Sequence, residues 1–449
     1  AAATIATKTL SVTANSDAKF VTQSDAVGYN GVSYTGFVNS ETNAVLGGML
    51  AISRSNSGTN SAGSYAGVLV PSGLTSGDYT ITYTNGDYTI VPANQLLVTV
   101  GNVSNTYGTA TTYGVTGAKY LASDNTTIVD LTGNVSAVGN AVTISDGANG
   151  SASFTLGPVT PLNSSGGYLR VGSYTLGASS VTETHTNFSN TLTVTGNHVV
   201  TEKSLTPAVS GVSKTYDGTT AMTGVSIGLT GKLTGDVVTV SGTGTFSQSN
   251  AGSNLGYSLN NLALSGTDAG NYTLSGGGSY SGSDGVINKA NATVTANSAT
   301  GTYTGLVQNV TGFTASGLVN SETTAVLTGV STSGGSSTNA GTYTHTASGT
   351  DGNYNLSFVN GALTINKAHL TVTADNQTRT YGAANPTFTQ TISGYVNGEN
   401  ATSAGLTGSA TGSSAATGTS NVGSYAITGS IGTLAAANYD FTPANGTLS

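Results

Sequence analysis

Val38-Asn39-Ser40-Glu41-Thr42 recurs as Val319-Asn320-Ser321-Glu322-Thr323, and each copy is followed one residue later by Ala-Val-Leu. Val396-Asn397-Gly398-Glu399-Asn400 is a third, looser copy. All three lie between a leading Val-Thr-Ala, which is soon followed by an aromatic residue, and a trailing Gly-x-Tyr. Recurrence at domain-sized spacing is the signature of tandem duplication.

The leading aromatic residue sets the length of the repeat. It stands at five positions that lie between 78 and 109 residues apart: Phe20, Tyr107, Tyr216, Tyr303 and Tyr381. We therefore predict five modules, called module 1 to module 5 below, over residues 1–92, 93–203, 204–289, 290–367 and 368–449. Module 2 is longer than the others and lacks the Val-Asn-x-Glu segment, and its additional length lies in residues 124–165.

Within a module the apolar residues alternate with Thr and Ser. Leu10 and Val12 show the pattern, and Leu370 and Val372 repeat it, as expected of strands with one buried face. Asn-Gly between alternating runs, in residues 83–88 and 358–363, predicts β-hairpins because both turn residues favour positive φ. Residues 39–46 predict one helical turn, capped by Asn or Ser, with Glu41 in its first turn.

These patterns predict an all-β protein. We expect a tandem array of small β-sandwich, immunoglobulin-like modules that form an elongated rod. A β-grasp arrangement around the helical turn is the alternative.

Two segments carry a family resemblance. Lys214-Thr215-Tyr216-Asp217-Gly218, with Asp268-Ala269-Gly270-Asn271-Tyr272, resembles the YDG repeat module. Arg379-Thr380-Tyr381-Gly382, with Gly394 to Glu399, resembles the MBG repeat module. Both modules occur in arrays in large bacterial surface exoproteins such as filamentous-haemagglutinin-like adhesins, so the resemblance implies an extracellular, cell-surface or matrix location.

Composition excludes several classes of function. Only 7% of the 449 residues are charged and the net charge is -8, so no basic face is available for nucleic acid or anionic membrane. The chain has no cysteine, which excludes a disulfide framework and thiolate chemistry. It has no apolar run of bilayer length, so we expect no membrane insertion.

The recurring polar residues are interpreted as structural. Glu41, Glu322 and Glu399 each stand alone within their module, whereas glycoside hydrolysis needs paired carboxyls and calcium needs several oxygen ligands. A role at a turn is therefore predicted, with a junction Ca²⁺ as the alternative. The repeated tyrosines are predicted to be core or corner residues with hydroxyls that reach the backbone. Isopeptide cross-links to Asn or Asp are an alternative for a chain without cysteine, with Lys214, Lys289 and Lys367 as the candidate lysines.

No catalytic, cofactor or metal site is predicted, and we expect that the chain is not an enzyme. His185, His198, His345 and His369 have no recurring acid or hydroxyl companion and are predicted to lie on strand surfaces. Residues 224–228 match the nucleophile-elbow pattern, but their context is strand-like and a Gly- and Ser-rich chain gives such matches by chance.

The two ends of the chain suggest a route to assembly. Ala3, Thr4, Ile5 and Ala6 align without gaps to Leu363 through Asn366, the closing strand of module 4. The stretch Asn445, Gly446, Thr447, Leu448 and Ser449 corresponds only to the start of such a strand. Either this is a stretch of a longer repeat protein, or residues 1–6 of one copy complete the last sheet of the next and build a filament.

The predicted function is structural: an extracellular repeat protein forming a stiff rod, or a surface fibre whose partner is itself, head-to-tail or laterally. The alternative is the stalk of an adhesin that binds host or matrix glycans or proteins. In that case module 2 is the place to look, because it departs from the repeat.

Overall fold

The computed structural model describes residues 5–38, 41–184, 187–188, 191–222 and 225–449. These residues form two compact units: the described parts of Ala1–Ser210, Val225–Thr243 and Leu259–Tyr280, and those of Gly211–Gly224, Gly244–Ser258 and Ser281–Ser449. The described residues are all-β, and their only helical elements are short 3-10 turns, at Asn43–Val45, Thr132–Asn134, Ala269–Asn271 and Thr324–Val326. The prediction of an all-β fold is confirmed.

Module 1 shows how two sheets are built from one repeat. Its strands are β1 Lys8–Ala14, β2 Asp17–Phe20, β3 Val32–Thr35, β4 Gly47–Arg54, β5 Gly63–Thr75, β6 Tyr79–Thr84 and β7 Gly86–Val91. One sheet has the order β3-β1-β6 and the other β2-β7-β5-β4. Leu10 and Val12 of β1 are fully buried against Leu74 of β5 and Tyr79 of β6, so the sheets share a core as in a β-sandwich.

Module 2 contains β8 Leu96–Val100, β9 Val103–Thr106, β10 Val115–Leu121, β11 Ile128–Asp130, β12 Val135–Val138, β13 Ala141–Ser145, β14 Ser151–Pro158, β15 Gly172–Glu183, β16 Leu192–Thr195 and β17 Asn197–Thr201. It has larger sheets than module 1, with the orders β11-β10-β8-β16 and β12-β13-β14-β15-β17-β9. Module 3 contains β18 Lys203–Val209, β19 Ser213–Thr215, β20 Ala221–Met222, β21 Ile227–Thr230, β22 Thr239–Phe246, β23 Gly252–Ser265, β24 Tyr272–Leu274 and β25 Tyr280–Asn288.

The last two modules complete the strand order. Module 4 contains β26 Ala290–Ala296, β27 Ala299–Thr302, β28 Gln308–Asn309, β29 Phe313–Ser316, β30 Val330–Gly334, β31 Ser336–Ser337, β32 Gly341–Gly349, β33 Tyr354–Val359 and β34 Gly361–Asn366. Module 5 contains β35 Ala368–Ala374, β36 Gln390–Ser393, β37 Thr411–Ser413, β38 Tyr425–Ser430, β39 Tyr439–Ala444 and β40 Gly446–Leu448.

Parallel pairing between the first and last strands recurs through the chain. β1 pairs with β6 and β2 with β7, and in module 4 β26 pairs with β33 and β27 with β34. The equivalent pairs in the other modules are β8 with β16, β9 with β17, β18 with β24, β19 with β25, and β35 with β39. Since parallel strands run the same way, the chain enters a module at one end and leaves it at the opposite end.

The prediction of β-hairpins at the two Asn-Gly pairs is wrong. β6 and β7, which flank Asn85-Gly86, lie in different sheets, and so do β33 and β34 around Asn360-Gly361. The glycine serves close packing instead, since a Cβ at Gly86 would lie 2.4 Å from the carbonyl oxygen of Ala14 and one at Gly361 2.3 Å from that of Ala296. Glycine is needed because two backbones cross here without room for a side chain.

The helical turn is shorter than predicted. In module 1 it is the 3-10 turn Asn43–Val45, and its cap is Thr42, whose side chain accepts from the Ala44 amide. Glu41 precedes this cap and is not in the first turn, while Asn39 and Ser40 lie outside the described residues. The described residues thus hold no helix of the kind that a β-grasp arrangement needs.

Candidate functional site at the module junctions

A carboxylate of module 5 joins it to module 4. Tyr303, the leading aromatic residue of module 4, donates its hydroxyl to Glu399 Oε1 at 2.6 Å, and Tyr439 of module 5 donates to Glu399 Oε2 at 2.6 Å. The two tyrosine rings meet edge to face with centroids 5.3 Å apart, and Tyr439 accepts the Val396 amide at 3.0 Å. We call this arrangement, a carboxylate between two tyrosines, the junction bridge.

The same bridge joins module 3 to module 4. Tyr216 donates to Glu322 Oε1 at 2.5 Å, and Tyr354 donates to the other oxygen of Glu322. The rings of Tyr216 and Tyr354 are again edge to face, with centroids 5.4 Å apart. Thus the recurring glutamate binds the leading tyrosine of the module before it, a partner 106 positions away in the sequence.

Between modules 2 and 3 an aspartate takes the place of the glutamate. Asp236 accepts from Tyr107 at 2.7 Å and from Tyr272 at 2.6 Å, and also from the Ser164 hydroxyl and the Gly166 amide. Sequence analysis missed Asp236 because the pattern sought required Val-Asn-x-Glu. A usable signal is present, since Leu233-Thr234-Gly235-Asp236 has the spacing of Val396-Asn397-Gly398-Glu399.

Phe20 of module 1 is the informative exception. Phe20 is 1% exposed and packs in an apolar cluster with Val91 and Leu121. Module 2, which follows it, lacks the Val-Asn-x-Glu segment. The leading aromatic residue therefore has a hydroxyl where the next module supplies an acid, and has none where the next module does not.

An asparagine reinforces each bridge. The side-chain oxygen of Asn438 accepts the Ala340 amide of module 4 at 2.8 Å, and its nitrogen donates to Asn339 Oδ1 at 3.1 Å. Asn353 makes the same two contacts to the Ala251 amide and to Asn250, at 2.9 and 3.2 Å. Asn271 accepts the Val171 amide at 3.0 Å. Neighbouring modules are thus joined through side chain and backbone at once.

Burial and the carboxylates hold the bridge tyrosines in their neutral form. Burial, followed by the hydrogen bond to Glu322, raises the pKa of Tyr354 to about 12, and burial and Glu399 do the same for Tyr439. Burial alone would raise the pKa of Asp236, but hydrogen bonds from Tyr272, Tyr107 and Ser164 outweigh it and lower that pKa. A hydroxyl that donates to a carboxylate gives the strong, charge-assisted class of hydrogen bond.

The Gly-x-Tyr tyrosines have a different role. The hydroxyls of Tyr65, Tyr174, Tyr343 and Tyr425 each donate to the carbonyl oxygen four residues earlier, at 2.8 to 2.9 Å. They fix the corner that leads into β5, β15, β32 and β38. The hydroxyls of Tyr79, Tyr272, Tyr354 and Tyr439 also accept a backbone amide, but their own protons go to carboxylates.

The other predicted residues are placed as follows. Tyr381 of module 5 is 63% exposed, and Glu41 of module 1 accepts from Tyr79 of its own module. Ile5 is 97% exposed, whereas Ala3 and Thr4 lie outside the described residues. Gly446, Thr447 and Leu448 form β40, which pairs with β38, and Ser449 bonds to the backbone of Gln377 and Arg379.

Two histidines depart from the predicted surface position. His198 is buried between Tyr113 and Asn105, at 2.9 and 2.7 Å, and burial lowers its pKa. His345 is 1% exposed and lies 2.8 Å from the Asn297 carbonyl oxygen. His369 is exposed beside Asp440, and His185 lies outside the described residues. Both buried rings lie within hydrogen-bond distance of polar neighbours. The alternation of apolar and polar residues in the sequence does not distinguish such a buried histidine from an exposed one.

The lysines considered for cross-links contact oxygen atoms. Lys214 Nζ lies 2.7 Å from Asp217 Oδ1, while Lys289 and Lys367 donate to the carbonyls of Asp351 and Ala436. Among the described residues there is no group of three or more His, Asp or Glu side chains suited to a metal ion. The described part of the chain also has no helix of the length and apolarity needed to cross a bilayer.

Family models match most of the modules. A model described as MBG domain (YGX type) matches residues 10–89, 292–364 and 370–449, together more than half of the chain, and a model described as YDG domain matches residues 201–281. No curated protein matches the chain.

The likeness to solved structures is weak. The N-terminal four immunoglobulin domains of Dscam1 isoform 4.44 are 10% identical, with 80% of this chain and 98% of that chain covered and a TM-score of 0.14. Extracellular cadherin domains 3–6 of protocadherin gamma B2 are 8% identical, with 78% and 97% covered and a TM-score of 0.17. Drosophila N-cadherin EC1–4 is 8% identical, with 85% and 81% covered and a TM-score of 0.10. TM-scores at this level carry no argument about function.

Proposed function

This chain belongs to the MBG domain (YGX type) family and carries a YDG domain among its repeats, and from this premise we propose that it is a non-enzymatic structural protein of the bacterial cell surface or extracellular matrix. Its modules form a stiff rod that spaces, or polymerises with, other components. The observation that carries this proposal is the junction bridge, which recurs with the same chemistry at Asp236, Glu322 and Glu399.

Short connections between strands support stiffness at these junctions. One residue separates β25 from β26 and β34 from β35, so the last strand of one module runs almost directly into the first strand of the next. A flexible linker needs several residues free of contacts, usually rich in Gly and Ser. Here Lys289 and Lys367, the single connecting residues, each donate to a carbonyl of the following module.

The bridge resists bending because its two tyrosines are buried. Tyr303 and Tyr439 are 6% and 1% exposed, so separation of the modules would leave polar groups without partners before water reached them. An unsatisfied buried polar group costs about 1 to 3 kcal/mol. Both oxygens of Glu399 accept a hydrogen bond from a tyrosine hydroxyl, which supports the structural role of the recurring acids.

Self-association is part of the proposal. Strand addition by residues 1–6, with a second copy continuing the sheet of β38 and β40, would give an open head-to-tail filament. Negative-stain electron microscopy and light scattering on the purified chain test both parts. Straight particles joined end to end support both parts, single straight particles support the stiff rod and refute self-association, and particles that bend freely at the junctions between modules 3, 4 and 5 refute the stiff rod.

Adhesion through module 2 is the second candidate function. A cleft of about 360 Å³ lies in this part of the chain and is lined by Tyr113, Tyr168, His198 and Asn105 among others. The half-buried ring of Tyr168 suits the apolar face of a glycan ring. A glycan array tests this function, since binding that disappears in the Tyr168→Ala variant but persists in Tyr65→Ala would establish it.

A further inference from the structure

The strands by which the chain enters and leaves a module are hydrogen-bonded to each other. In module 4 the chain enters through β26 and leaves through β34. Residues 290–295 of β26 lie beside residues 354–359 of β33 in parallel register. Residues 299–302 of β27 lie beside residues 363–366 of β34, again in parallel. Two parallel ladders therefore connect the entering half of the module to the leaving half.

Tension along the chain loads both ladders along their length. A pull on the chain before Ala290 draws β26 and β27 one way, and a pull beyond Asn366 draws β33 and β34 the other way. Since the two strands of each pair run in the same direction, the pulls act at opposite ends of the ladder and cannot open it like a zipper. The hydrogen bonds of a parallel ladder are evenly spaced, so they share this load and must break together.

A crossing of backbones ties the two ladders to each other. The chain passes from one sheet to the other between β26 and β27, and again between β33 and β34. At this crossing a Cβ at Gly361 would lie 2.3 Å from the carbonyl oxygens of Ala296 and Asn297. If tension moved β34 forward by one residue, Asn360 would reach this place, where its side chain does not fit. The crossing therefore opposes the sliding that tension drives.

The parallel ladders recur in other modules with the same length. In module 1 residues 8–13 of β1 lie beside residues 79–84 of β6. In module 5 residues 368–373 of β35 lie beside residues 439–444 of β39. The direction in which tension loads the strands is thus a property of the repeat and not of module 4 alone.

The crossing glycine recurs as well. It stands where the chain steps from the next-to-last strand of a module to the last one, in modules 1, 2, 4 and 5. A Cβ at these positions would lie 2.1 to 2.8 Å from a carbonyl oxygen of the entering strand, at Gly86, Gly196, Gly361 and Gly446. Such distances leave no room for a side chain, so all four modules hold their two sheets together at the same point.

We propose that these modules are mechanical clamps and that the chain bears tension along its length. The load is a pull along the strands, as fluid drag imposes on a protein that tethers one body to another. This inference rests on the proposed structural function and adds to it that the modules carry force in addition to holding a distance. Resistance to force is governed by the rate of unfolding and not by the free energy of folding. The direction of pulling is therefore the variable to change.

Two pairs of attachment points in module 4 give matched directions of pulling. The chain has no cysteine, so Asn291→Cys with Asn366→Cys places handles at the start of β26 and the end of β34, and we call this the shear pair. Thr302→Cys with Asn366→Cys places them on register partners at the end of the β27–β34 ladder, and we call this the peel pair. All three positions are exposed, and circular dichroism of the full chain checks that both double variants are folded.

Optical tweezers measure the force that unfolds module 4 in the full chain at one loading rate. We expect the shear pair to need at least about twice the force of the peel pair, with an abrupt release, because its bonds break together and not one by one. Equal forces for the two pairs, or a gradual release of the shear pair, would overturn the inference. Neither result touches the stiffness of the junctions, which is tested by the geometry between modules, so the two proposals fail separately.

Discussion

Removal of the carboxylate of Glu399 should lower the local stability of both module 4 and module 5. In Glu399→Ala, the hydroxyls of Tyr303 and Tyr439 lose their acceptor while their rings stay buried, at 6% and 1% exposure. Each unsatisfied hydroxyl costs about 1 to 3 kcal/mol, so we expect a loss of about 2 to 6 kcal/mol in local stability. Glu399→Gln keeps one acceptor oxygen, and its cost should be about half as large.

Native-state hydrogen exchange on the full chain measures this loss where it occurs. Because an array of modules does not unfold in one cooperative step, local opening free energies are more informative than a single melting temperature. We expect faster exchange in peptides of module 5 around Val396 and, equally, in peptides of module 4 around Tyr303, whose amide bonds to the Asn366 carbonyl.

Glu202 provides the matched control. It is a half-exposed glutamate between β17 and β18 that belongs to no bridge, so Glu202→Ala should change local stability by less than about 0.5 kcal/mol. Faster exchange confined to module 5 in Glu399→Ala, with module 4 unchanged, would refute the idea that the glutamate acts across the junction. So would a loss no larger than that of the control.

Three further predictions concern single positions. Gly305→Ala should cost at least about 1 kcal/mol more than Gly382→Ala, as measured by native-state hydrogen exchange around each glycine, because both glycines have positive φ but only Gly305 has a junction neighbour, Asn397, in the way. Phe20→Tyr should be destabilising by about 1 to 3 kcal/mol, since it brings a hydroxyl into the apolar cluster with Val91 and Leu121, and hydrogen exchange around Phe20 equal to that of the wild type would count against this interpretation of module 2. The pKa of Tyr354 and of Tyr439 is about 12 in the folded chain against an ordinary 10, so their contribution to folding stability is full below pH 10 and is lost as the pH rises towards 12. Denaturation curves should therefore show a less stable chain at pH 11.5 than at pH 9. The difference should be smaller in a Tyr354→Phe/Tyr439→Phe variant.

Local sequence pattern predicted the strands well because a strand needs only a period of two. Leu10, Val12, Leu370 and Val372 are all fully buried, as the alternation required. The repeat itself was equally visible, since duplicated segments retain their sequence. The family models confirm the MBG and YDG modules that the repeated motifs indicated.

Long-range contacts explain what the sequence did not predict. Asn85-Gly86 looks like a hairpin, but its glycine is required by the carbonyl of Ala14, about seventy residues earlier, and no local rule reports that approach. Glu322 was assigned to a turn because its neighbours cap one, whereas its partner Tyr216 lies in the preceding module. The pairing of a leading tyrosine with an acid in the following module identifies the three bridges, and the absence of such an acid in module 2 accounts for Phe20.

Distance measurement between modules 4 and 5 tests the central claim most directly. The chain has no cysteine, so Ser331→Cys and Ser430→Cys, at exposed strand positions of the two modules, place two spin labels without background. Pulsed electron paramagnetic resonance then gives the distribution of distances across the junction. We predict one narrow distribution for the labelled chain and a clearly broader one when Glu399→Ala is added. A broad distribution with the bridge intact, or the same narrow one without it, would contradict the claim that the junction bridge fixes neighbouring modules.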